Sequence, residues 1–392
     1  MNHFKKQQIQ NIADFNPREQ LAKGALAKSV PMAMLKEFQR QITGYEIKAF
    51  NGGAKFRNGD TLLARITPCL ENGKTAFVDI LDDGEVAFGS TEFIVLRAKN
   101  KTNPEFLYYF AISPDFRKRA IECMEGTSGR QRVNENTLKT LELPIPEPQT
   151  QQSIAAVLSA LDKKIALNKQ INARLEEMAK TLYDYWFVQF DFPDANGKPY
   201  KSSGGEMVFD ETLKREIPKG WKPFKLSELV TLSTGKEDAN FATEQGIYPF
   251  FTCSEKILKC DVYSFDTQAI LLAGNGTFSV KRFTGKFNAY QRTYVLEPKS
   301  KNLYPIVYFV IIDNVIKFTS GSRGSIIKFI TRGDIENIDV VLLNDIENMR
   351  FSEVLYTYLL QAELLEKQNH QLTQLRDFLL PMLMNGQVSV AE

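Results

Sequence analysis

Residues 150–187 read TQQSIAAVLSALDKKIALNKQINARLEEMAKTLYDYWF, a stretch with neither proline nor glycine. Its apolar and amide residues recur at alternating spacings of four and three, which is the seam of a coiled coil rather than the broader face of a surface helix. Such a helix would be roughly 57 Å long at about 1.5 Å per residue, so it needs a partner of similar length. The predicted seam residues are Ile154, Leu158, Leu161, Ile165, Asn168, Asn172, Leu175 and Leu182.

A second copy of this seam lies later in the chain, because Phe351 follows Ile154 by 197 residues and the later seam residues follow in the same order. Asn369 falls on Asn172 at this offset, and a buried seam asparagine costs stability but fixes register. Twice the offset nearly equals the 392-residue length, so we predict a tandem duplication in which each half ends in a long helix. The second seam comprises Phe351, Leu355, Tyr358, Leu365, Asn369, Leu372 and Leu379.

Length and composition predict an ordinary globular protein of two or three domains. The chain is 43% hydrophobic and 24% charged, and it has room for large cores. No stretch approaches 18 consecutive apolar residues, and the first residues do not resemble a signal peptide, so we expect a cytoplasmic protein. Four cysteines without CxxC spacing and only two histidines argue against a zinc site or a disulfide framework.

The sequence pattern of each half also predicts an α/β module before its long helix. Short blocks of β-branched and aromatic residues, broken by Asn-Gly and Asp-Gly turns, predict strands, and Asn103 before a proline predicts a helix N-cap. An Asn344-x-x-Glu347 string suggests a capping box at the second long helix. The predicted strands are 58–66, 74–81, 85–98, 141–146, 268–274, 291–298 and 338–343, and the predicted shorter helices are 32–41, 103–125 and 303–318.

These patterns divide the chain into a tandem arrangement. Proline and glycine are concentrated between the two halves, which predicts a linker. The predicted divisions are a first module at 1–148, a helix at 149–190, a linker at 191–220, a second module at 221–343, a helix at 344–385 and a tail at 386–392.

Motifs for catalysis are missing from the sequence. The string nearest to a Walker loop ends in Gly73-Lys74-Thr75 but has Pro68 in place of the first glycine. No Pro-Pro dipeptide exists to hold an adenine amino group, and Gly274-Asn275-Gly276 is interpreted as a turn because a dinucleotide fingerprint does not continue after it. No nucleophile elbow is present. No catalytic residue and no metal ligand is therefore predicted.

Two basic clusters, one in each half, favour contact with a polyanion. Arginine suits guanine, glutamine and asparagine suit adenine, and serine, threonine and lysine suit phosphates. A solvated basic loop without a ligand remains the alternative for any single residue. The candidates in the first half are Arg65, Asn72, Lys74, Ser90, Thr91, Thr127, Ser128, Arg130, Gln131 and Arg132. Those in the second half are Asn275, Lys281, Arg282, Gln291, Arg292, Ser320, Ser322, Arg323 and Lys328.

The string TSG occurs at 127–129 and again at 319–321, at the same place in each half. The residues around the two copies differ, with GRQRVNENT in the first half and GSRGSIIKF in the second. This pattern, a common scaffold with different loops, is expected of two copies that recognise different ligands.

The chain resembles the specificity (S) subunit of a type I DNA restriction-modification enzyme. The strings that carry the resemblance are NGDTLLARITPCLENGK (58–74), GSTEF (89–93), LPIPEPQTQQSIAAVLSALDKKIALNKQ (143–170) and PKGWKPFKLSEL (218–229). The resemblance implies an α/β (α+β) fold with two target-recognition domains in tandem, at the module boundaries given above. It also implies that the two long helices pack as an antiparallel coiled coil with pseudo-two-fold symmetry. The lead-in to the second helix departs from the pattern of the first.

The resemblance implies a non-catalytic subunit that reads a bipartite, asymmetric target in double-stranded DNA. Two methyltransferase subunits would dock on it for adenine N6 methylation, and restriction or motor subunits would join them for cleavage. The chain would bind no cofactor itself, whereas its partners would use S-adenosylmethionine, ATP and Mg²⁺.

Two other classes stay open at this point. A coiled-coil scaffold without DNA binding would keep the seams, but its interactions would not weaken as salt rises. A self-sufficient nuclease would need a metal-binding carboxylate set, and Glu46-Ile47-Lys48 lacks the upstream Pro-Asp of such a site.

Overall fold

The structure, a computed structural model, describes residues 4–127, 129–319, 329–343 and 352–390. It divides into two compact units. Unit 1 takes its residues from the chain up to Leu167 and again from Gln368 onward, and unit 2 runs from Asn168 to Lys367. Each unit therefore includes part of each long helix.

Unit 1 is built from short strands and helices that precede the first long helix. Its strands are β1 (Phe4–Gln8), β2 (Ala13–Phe15), β3 (Leu26–Val30), β4 (Glu46–Ala49), β5 (Ala54–Phe56), β6 (Thr61–Ala64), β7 (Thr75–Phe77), β8 (Ala87–Gly89), β9 (Phe93–Ala98), β10 (Met124–Glu125), β11 (Arg132–Val133) and β12 (Glu142–Pro146). Its shorter helices are α1 (Ile9–Ile12), α2 (Pro104–Ile112), α3 (Pro114–Glu122) and α4 (Glu135–Thr140).

Two four-stranded sheets, in the orders β2-β9-β6-β7 and β4-β3-β8-β5, form the framework of unit 1. Helix α2 reads PEFLYYFAI and is buried from Phe106 to Ile112, as expected of a helix that is apolar on all sides. The Asn103 side chain accepts a hydrogen bond of 2.9 Å from the Phe106 amide, so the predicted N-cap is confirmed. The core joins α2 to β6, β9 and the long helices.

The predicted helix over residues 32–41 is wrong. The structure has only a 3₁₀ turn at Met32–Met34, and Phe38 takes a left-handed φ of 53°. A helix cannot continue through a side-chain-bearing residue in that conformation.

Unit 2 has larger strands and one larger sheet. Its elements after the first long helix are β13 (Met207–Asp210), β14 (Arg215–Pro218), β15 (Trp221–Lys225), α6 (Leu226–Leu229), β16 (Val230–Thr234), β17 (Tyr248–Phe251), β18 (Leu258–Cys260), β19 (Phe265–Ala273), β20 (Val280–Ala289), β21 (Thr293–Pro298), α7 (Leu303–Thr319), α8 (Arg332–Glu336) and β22 (Asp339–Leu343). The main sheet has the order β16-β21-β19-β20-β17-β18, and its core includes the apolar helix α7.

The segment predicted as a linker is folded. Strand β13 pairs antiparallel with β14, and the ring of Phe192 stacks on Tyr200 at 4.7 Å and on Trp221 at 4.6 Å between centroids. Proline and glycine in this segment therefore shape turns rather than an extended tether.

Topology repeats the duplication seen in the sequence. The strand that begins each repeat pairs antiparallel with the last strand before the long helix, β1 with β12 and, after the β13–β14 pair, β15 with β22. A short helix then leads to a strand that pairs with the strand before the apolar helix, β2 with β9 and β16 with β21. The prediction of two α/β modules in tandem is confirmed.

The first long helix, α5, spans Pro148–Tyr183 and ends in a π-helical turn at Asp184–Val188; the second, α9, spans Ser352–Met384. In unit 1 they run antiparallel, because Asp162 pairs with Arg376 and the Ile165 carbonyl accepts a 3.3 Å hydrogen bond from Asn369. Every predicted seam residue that the structure describes is buried or half-buried. Phe351 and the Asn344-x-x-Glu347 string lie outside the described residues. Among the residues that the structure describes, no helix is both long enough and apolar enough to span a membrane.

Candidate nucleic-acid interface

Three loops of unit 1 meet on one surface, which we call surface 1: residues 65–74 after β6, residues 90–92 before β9, and residues 126–127 and 129–132 before α4. The Arg65 amide donates to the Glu92 carbonyl at 3.0 Å, and the Arg65 carbonyl accepts from the Val133 amide at 2.9 Å. The Thr67 amide also donates to the Gln131 carbonyl at 3.1 Å. The backbone thus fixes all three loops against one another, although they are far apart in sequence.

A carboxylate between two guanidinium groups organises the side chains of surface 1. Glu92 lies 2.7 Å from Arg132 and 3.2 Å from Arg65, whose guanidinium also lies 3.1 Å from Glu135. The hydrogen bond from Arg132 lowers the pKa of Glu92; partial burial opposes this shift, and Arg65 adds to it. Arg132 remains about half exposed, at 51%. A guanidinium held in one place yet open to solvent is suited to a bidentate contact with a planar ligand.

The other first-half candidates divide into accessible and supporting residues. Asn72, Thr91, Thr127 and Arg130 are exposed, and Lys74, Ser90 and Gln131 are half-buried. The Ser90 hydroxyl accepts from the Glu92 amide at 3.1 Å, so Ser90 shapes the turn that carries Glu92. Ser128 lies outside the described residues.

Beside surface 1, Arg65 and Thr91 border a cleft of about 720 Å³ whose lining includes Phe93 and Val95. The cleft gives Arg65 a second accessible side. Among the residues that the structure describes, histidine, cysteine and carboxylate side chains form no group of three that could hold a metal ion.

Unit 2 presents a corresponding surface, surface 2, formed by residues 253–254, 274–281, 291–292 and 329–330. The Gly274 amide donates to the Arg292 carbonyl at 2.8 Å, and the Gly274 carbonyl accepts from the Ile330 amide at 2.8 Å. Lys281 contacts the carbonyl of Ser254 through its ammonium group. Arg292 is exposed, so surface 2 also offers a guanidinium to solvent.

Surface 1 and surface 2 each have the same pattern of backbone hydrogen bonds, which we call the backbone frame. The bonds that tie Arg65 to Glu92 and Val133 in unit 1 tie Gly274 to Arg292 and Ile330 in unit 2. The isolated bridge between Ile66 and Arg132 has its counterpart in the bridge between Asn275 and Phe329. Hence Arg65, Glu92 and Arg132 of surface 1 correspond to Gly274, Arg292 and Phe329 of surface 2. The frame is repeated, but its side chains have different chemistry.

The remaining second-half candidates have mixed outcomes. Gln291 is exposed and donates to Asp238 at 2.7 Å, and Asn275 and Lys281 are half-buried. Ser320, Ser322, Arg323 and Lys328, together with the string at 319–321 apart from Thr319, lie outside the described residues.

The prediction that Arg282 contacts DNA is wrong, because its side chain is buried. Its side chain is only 6% exposed and lies 2.6 Å from Glu176. It also donates to the Leu359 carbonyl at 3.3 Å, and its guanidinium stacks over the ring of Tyr308. Arg282 therefore links β20 to the long helices inside unit 2 and is not accessible to DNA.

Glu92 and Phe329 belong to the shared frame and carry side chains on its surfaces, but the sequence did not single them out as candidates. Glu92 lies in the string GSTEF, where only its neighbours matched the DNA-contact chemistry. Phe329 follows Arg132 by 197 residues, so the duplication offset was a signal that pointed to it.

The described residues thus define a class of protein that has two long helices and two repeated α/β units. Each unit presents a surface of loops held by the same pattern of backbone hydrogen bonds. The chain belongs to the family described as type I restriction modification DNA specificity domain, whose model matches residues 8–177 and 218–374. Members of that family are DNA-recognition subunits and not the catalytic subunits of their complexes.

Individual relatives agree with this membership. The chain is 45% identical over 181 residues to the type I restriction enzyme EcoDI specificity subunit of Escherichia coli, a match that covers 44% of this chain and 40% of that subunit. It is 38% identical over 189 residues to the HindI specificity subunit of Haemophilus influenzae, covering 47% of this chain and 40% of that subunit. The matches therefore span less than half the length of these two relatives.

The fold is shared over a greater length. A crystal structure of the type I restriction-modification S subunit from M. genitalium is similar with a TM-score of 0.59 at 17% identity, and the likeness covers 97% of this chain and 96% of that one. At this level of identity the comparison establishes the fold, namely a mixed α/β protein with two tandem domains.

Proposed function

We propose that this chain reads a bipartite, asymmetric sequence in double-stranded DNA, with surface 1 contacting one half-site and surface 2 the other. The observation that carries the proposal is the shared backbone frame with unlike side chains. A common frame presents each reader to the DNA in the same way, and different side chains read different bases. Two readers in one chain need not recognise related half-sites, unlike two identical subunits of a symmetric dimer.

The exposed chemistry of both surfaces supports DNA as the ligand. Arg130 and Arg132 in surface 1 and Arg292 in surface 2 are exposed guanidinium groups, and surface 1 adds exposed threonine and asparagine side chains. Arginine suits guanine edges and phosphates, whereas the hydroxyl and amide groups suit phosphates and adenine.

We propose that the units of recognition follow the boundaries inferred from the sequence. Residues 1–148 and 221–343 would be the target-recognition domains, 149–190 and 344–385 the spacer helices, 191–220 the folded connection, and 386–392 the tail. In this arrangement the readers and the spacer are separate parts, so each can be changed while the other is kept.

We propose that the chain is a non-catalytic scaffold on which two methyltransferase subunits dock for adenine N6 methylation, and restriction or motor subunits for cleavage. S-adenosylmethionine, ATP and Mg²⁺ would be bound by those partners, and this chain would bind no cofactor. Purified alone and mixed with DNA and Mg²⁺, it would leave the DNA intact.

A base-resolution map of N6-methyladenine in the source genome, with and without this gene, tests the proposed function. We expect a single bipartite motif to lose methylation when the gene is deleted and to regain it when the gene is restored. If the map is unchanged, we would reconstitute the chain with an adjacent methyltransferase gene product. Absence of sequence-specific methylation in that complex would contradict the proposal.

The lengths of α5 and α9 are expected to set the spacer between the half-sites. Deleting one heptad from each helix removes about 10.5 Å of rise at about 1.5 Å per residue, and one base pair occupies about 3.4 Å. We therefore expect the methylated motif to keep both half-sites but to have a spacer shorter by at most about three base pairs. The same map measures it, and methylation of the original motif by the shortened chain would refute the spacer role.

A further inference from the structure

Phe329 is an exposed aromatic side chain within surface 2. Its side chain is 61% exposed, and its backbone bridges to Asn275 in the loop that follows β19. The next residue, Ile330, is buried, and its amide is bonded to Gly274. The position of Phe329 is therefore fixed by the fold, although its ring is not part of a core.

The corresponding residue of surface 1 is Arg132, a cation that suits the polar edge of guanine. Phenylalanine at that place has no hydrogen-bonding group, so it can read only an apolar feature. The apolar feature that a base pair presents in the major groove is the C5-methyl group of thymine. Arg292 and Lys281 lie in the same surface and supply positive charge beside the ring, which favours DNA over an apolar protein partner.

We propose that Phe329 is a specificity-determining residue that contacts the C5-methyl group of one thymine in the half-site read by unit 2. The inference rests on the proposed function. It predicts that the two half-sites differ in chemistry at corresponding places, with a polar contact through Arg132 in one and an apolar contact through Phe329 in the other.

The test uses the full chain in complex with its methyltransferase partners and duplexes carrying the mapped motif. Each thymine of the motif is replaced in turn by deoxyuridine, which lacks only the methyl group. For the unmodified chain we expect binding to weaken at one thymine by roughly fourfold, the effect of leaving one buried methyl group unburied. Phe329→Ala should abolish that difference, and Phe329→Leu should keep part of it.

A matched control identifies the half-site. The affected thymine should lie in the half-site that Arg132→Ala leaves unchanged, and Arg132→Ala itself should keep the thymine preference. Equal deoxyuridine effects in the unmodified chain and in Phe329→Ala would overturn the inference, as would a motif with no thymine in that half-site. In both cases sequence-specific binding by the unmodified chain would still support the proposed function, so the two failures are distinguishable.

Discussion

Replacing Asp162 with alanine is expected to lower the local stability of unit 1 by about 3–5 kcal/mol, the usual loss when one partner of a buried ion pair is removed. Asp162 and Arg376 lie 2.8 Å apart, and their side chains are 6% and 7% exposed. The second oxygen of Asp162 accepts a 2.7 Å hydrogen bond from the hydroxyl of Tyr109 on α2. One carboxylate therefore ties α5 to both α9 and α2.

The charge left behind explains the size of the effect. Burial by itself lowers the pKa of the Arg376 guanidinium, but the attraction and hydrogen bonds of Asp162 and, to a smaller extent, Asp377 together outweigh burial and raise the pKa above its ordinary value. Without Asp162 the guanidinium stays protonated, and among the residues that the structure describes it keeps only Asp377, which is 57% exposed, as an ionic partner. The Tyr109 hydroxyl still accepts from Arg40 at 3.4 Å, but it loses the acceptor of its own proton, and an unsatisfied buried donor adds to the loss.

Hydrogen exchange of the backbone amides in α2 measures the local stability of unit 1. Tryptophan fluorescence would not, because Trp186 and Trp221 both belong to unit 2. Glu122→Ala is the matched control in unit 1, since its pair with Arg119 is exposed at 48% and 55% and should cost less than about 1 kcal/mol. A loss for Asp162→Ala no greater than for this control would contradict the prediction.

The corresponding residues of unit 2 suggest a double variant that should recover part of the stability lost in Asp162→Ala. At an offset of 197 residues, Asp162 corresponds to Leu359 and Arg376 to Ala179, and both of these apolar residues are fully buried. The double variant Asp162→Leu with Arg376→Ala copies them and removes both charges, so its loss should be smaller than that of Asp162→Ala. The same hydrogen-exchange measurement compares the two.

The seams were predictable because their spacing is local: a period of seven residues selects one face of a helix wherever the chain folds. The buried pair was not predictable, because a charged residue beside a seam is ordinarily solvated. Asp162 and Arg376 are buried because α2 and its Tyr109 pack over this part of the helices. That contact joins residues far apart in sequence, and no local pattern encodes it.

The candidate site shows the same division. The duplication predicted related positions for corresponding loops of the two halves, and among the described residues the loops of surface 1 and surface 2 have the same pattern of backbone hydrogen bonds. Arg282 was wrongly included because a basic residue in a strand looks the same in sequence whether it faces solvent or a helix. Its burial depends on Glu176 and Leu359, which belong to the long helices. Phe329 was missed because an exposed aromatic and a core aromatic cannot be told apart from composition.

Arg132→Ala is expected to reduce discrimination in one half-site by about 1–3 kcal/mol, or roughly 5- to 150-fold in relative affinity, as for loss of a bidentate base contact. Arg132 is exposed on surface 1, and Glu92 holds its guanidinium in place. Its removal leaves Glu92 paired with Arg65 and the backbone frame intact, so the unit should stay folded. Competition binding by the complex with partner subunits, using duplexes changed at each position of the mapped motif, measures the loss position by position.

Two further variants decide whether this effect is specific. Arg292→Ala on surface 2 should relax the other half-site and leave the first unchanged, because the two surfaces belong to separate units. Arg119→Ala removes an exposed guanidinium of α3 that pairs with Glu122, and it should change neither half-site. If Arg132→Ala weakened binding equally for every sequence and reduced its salt dependence, Arg132 would contact phosphate and not a base. The same half-site relaxing in both Arg132→Ala and Arg292→Ala would contradict the assignment of one reader to each unit, because independent readers can each change only the bases they contact.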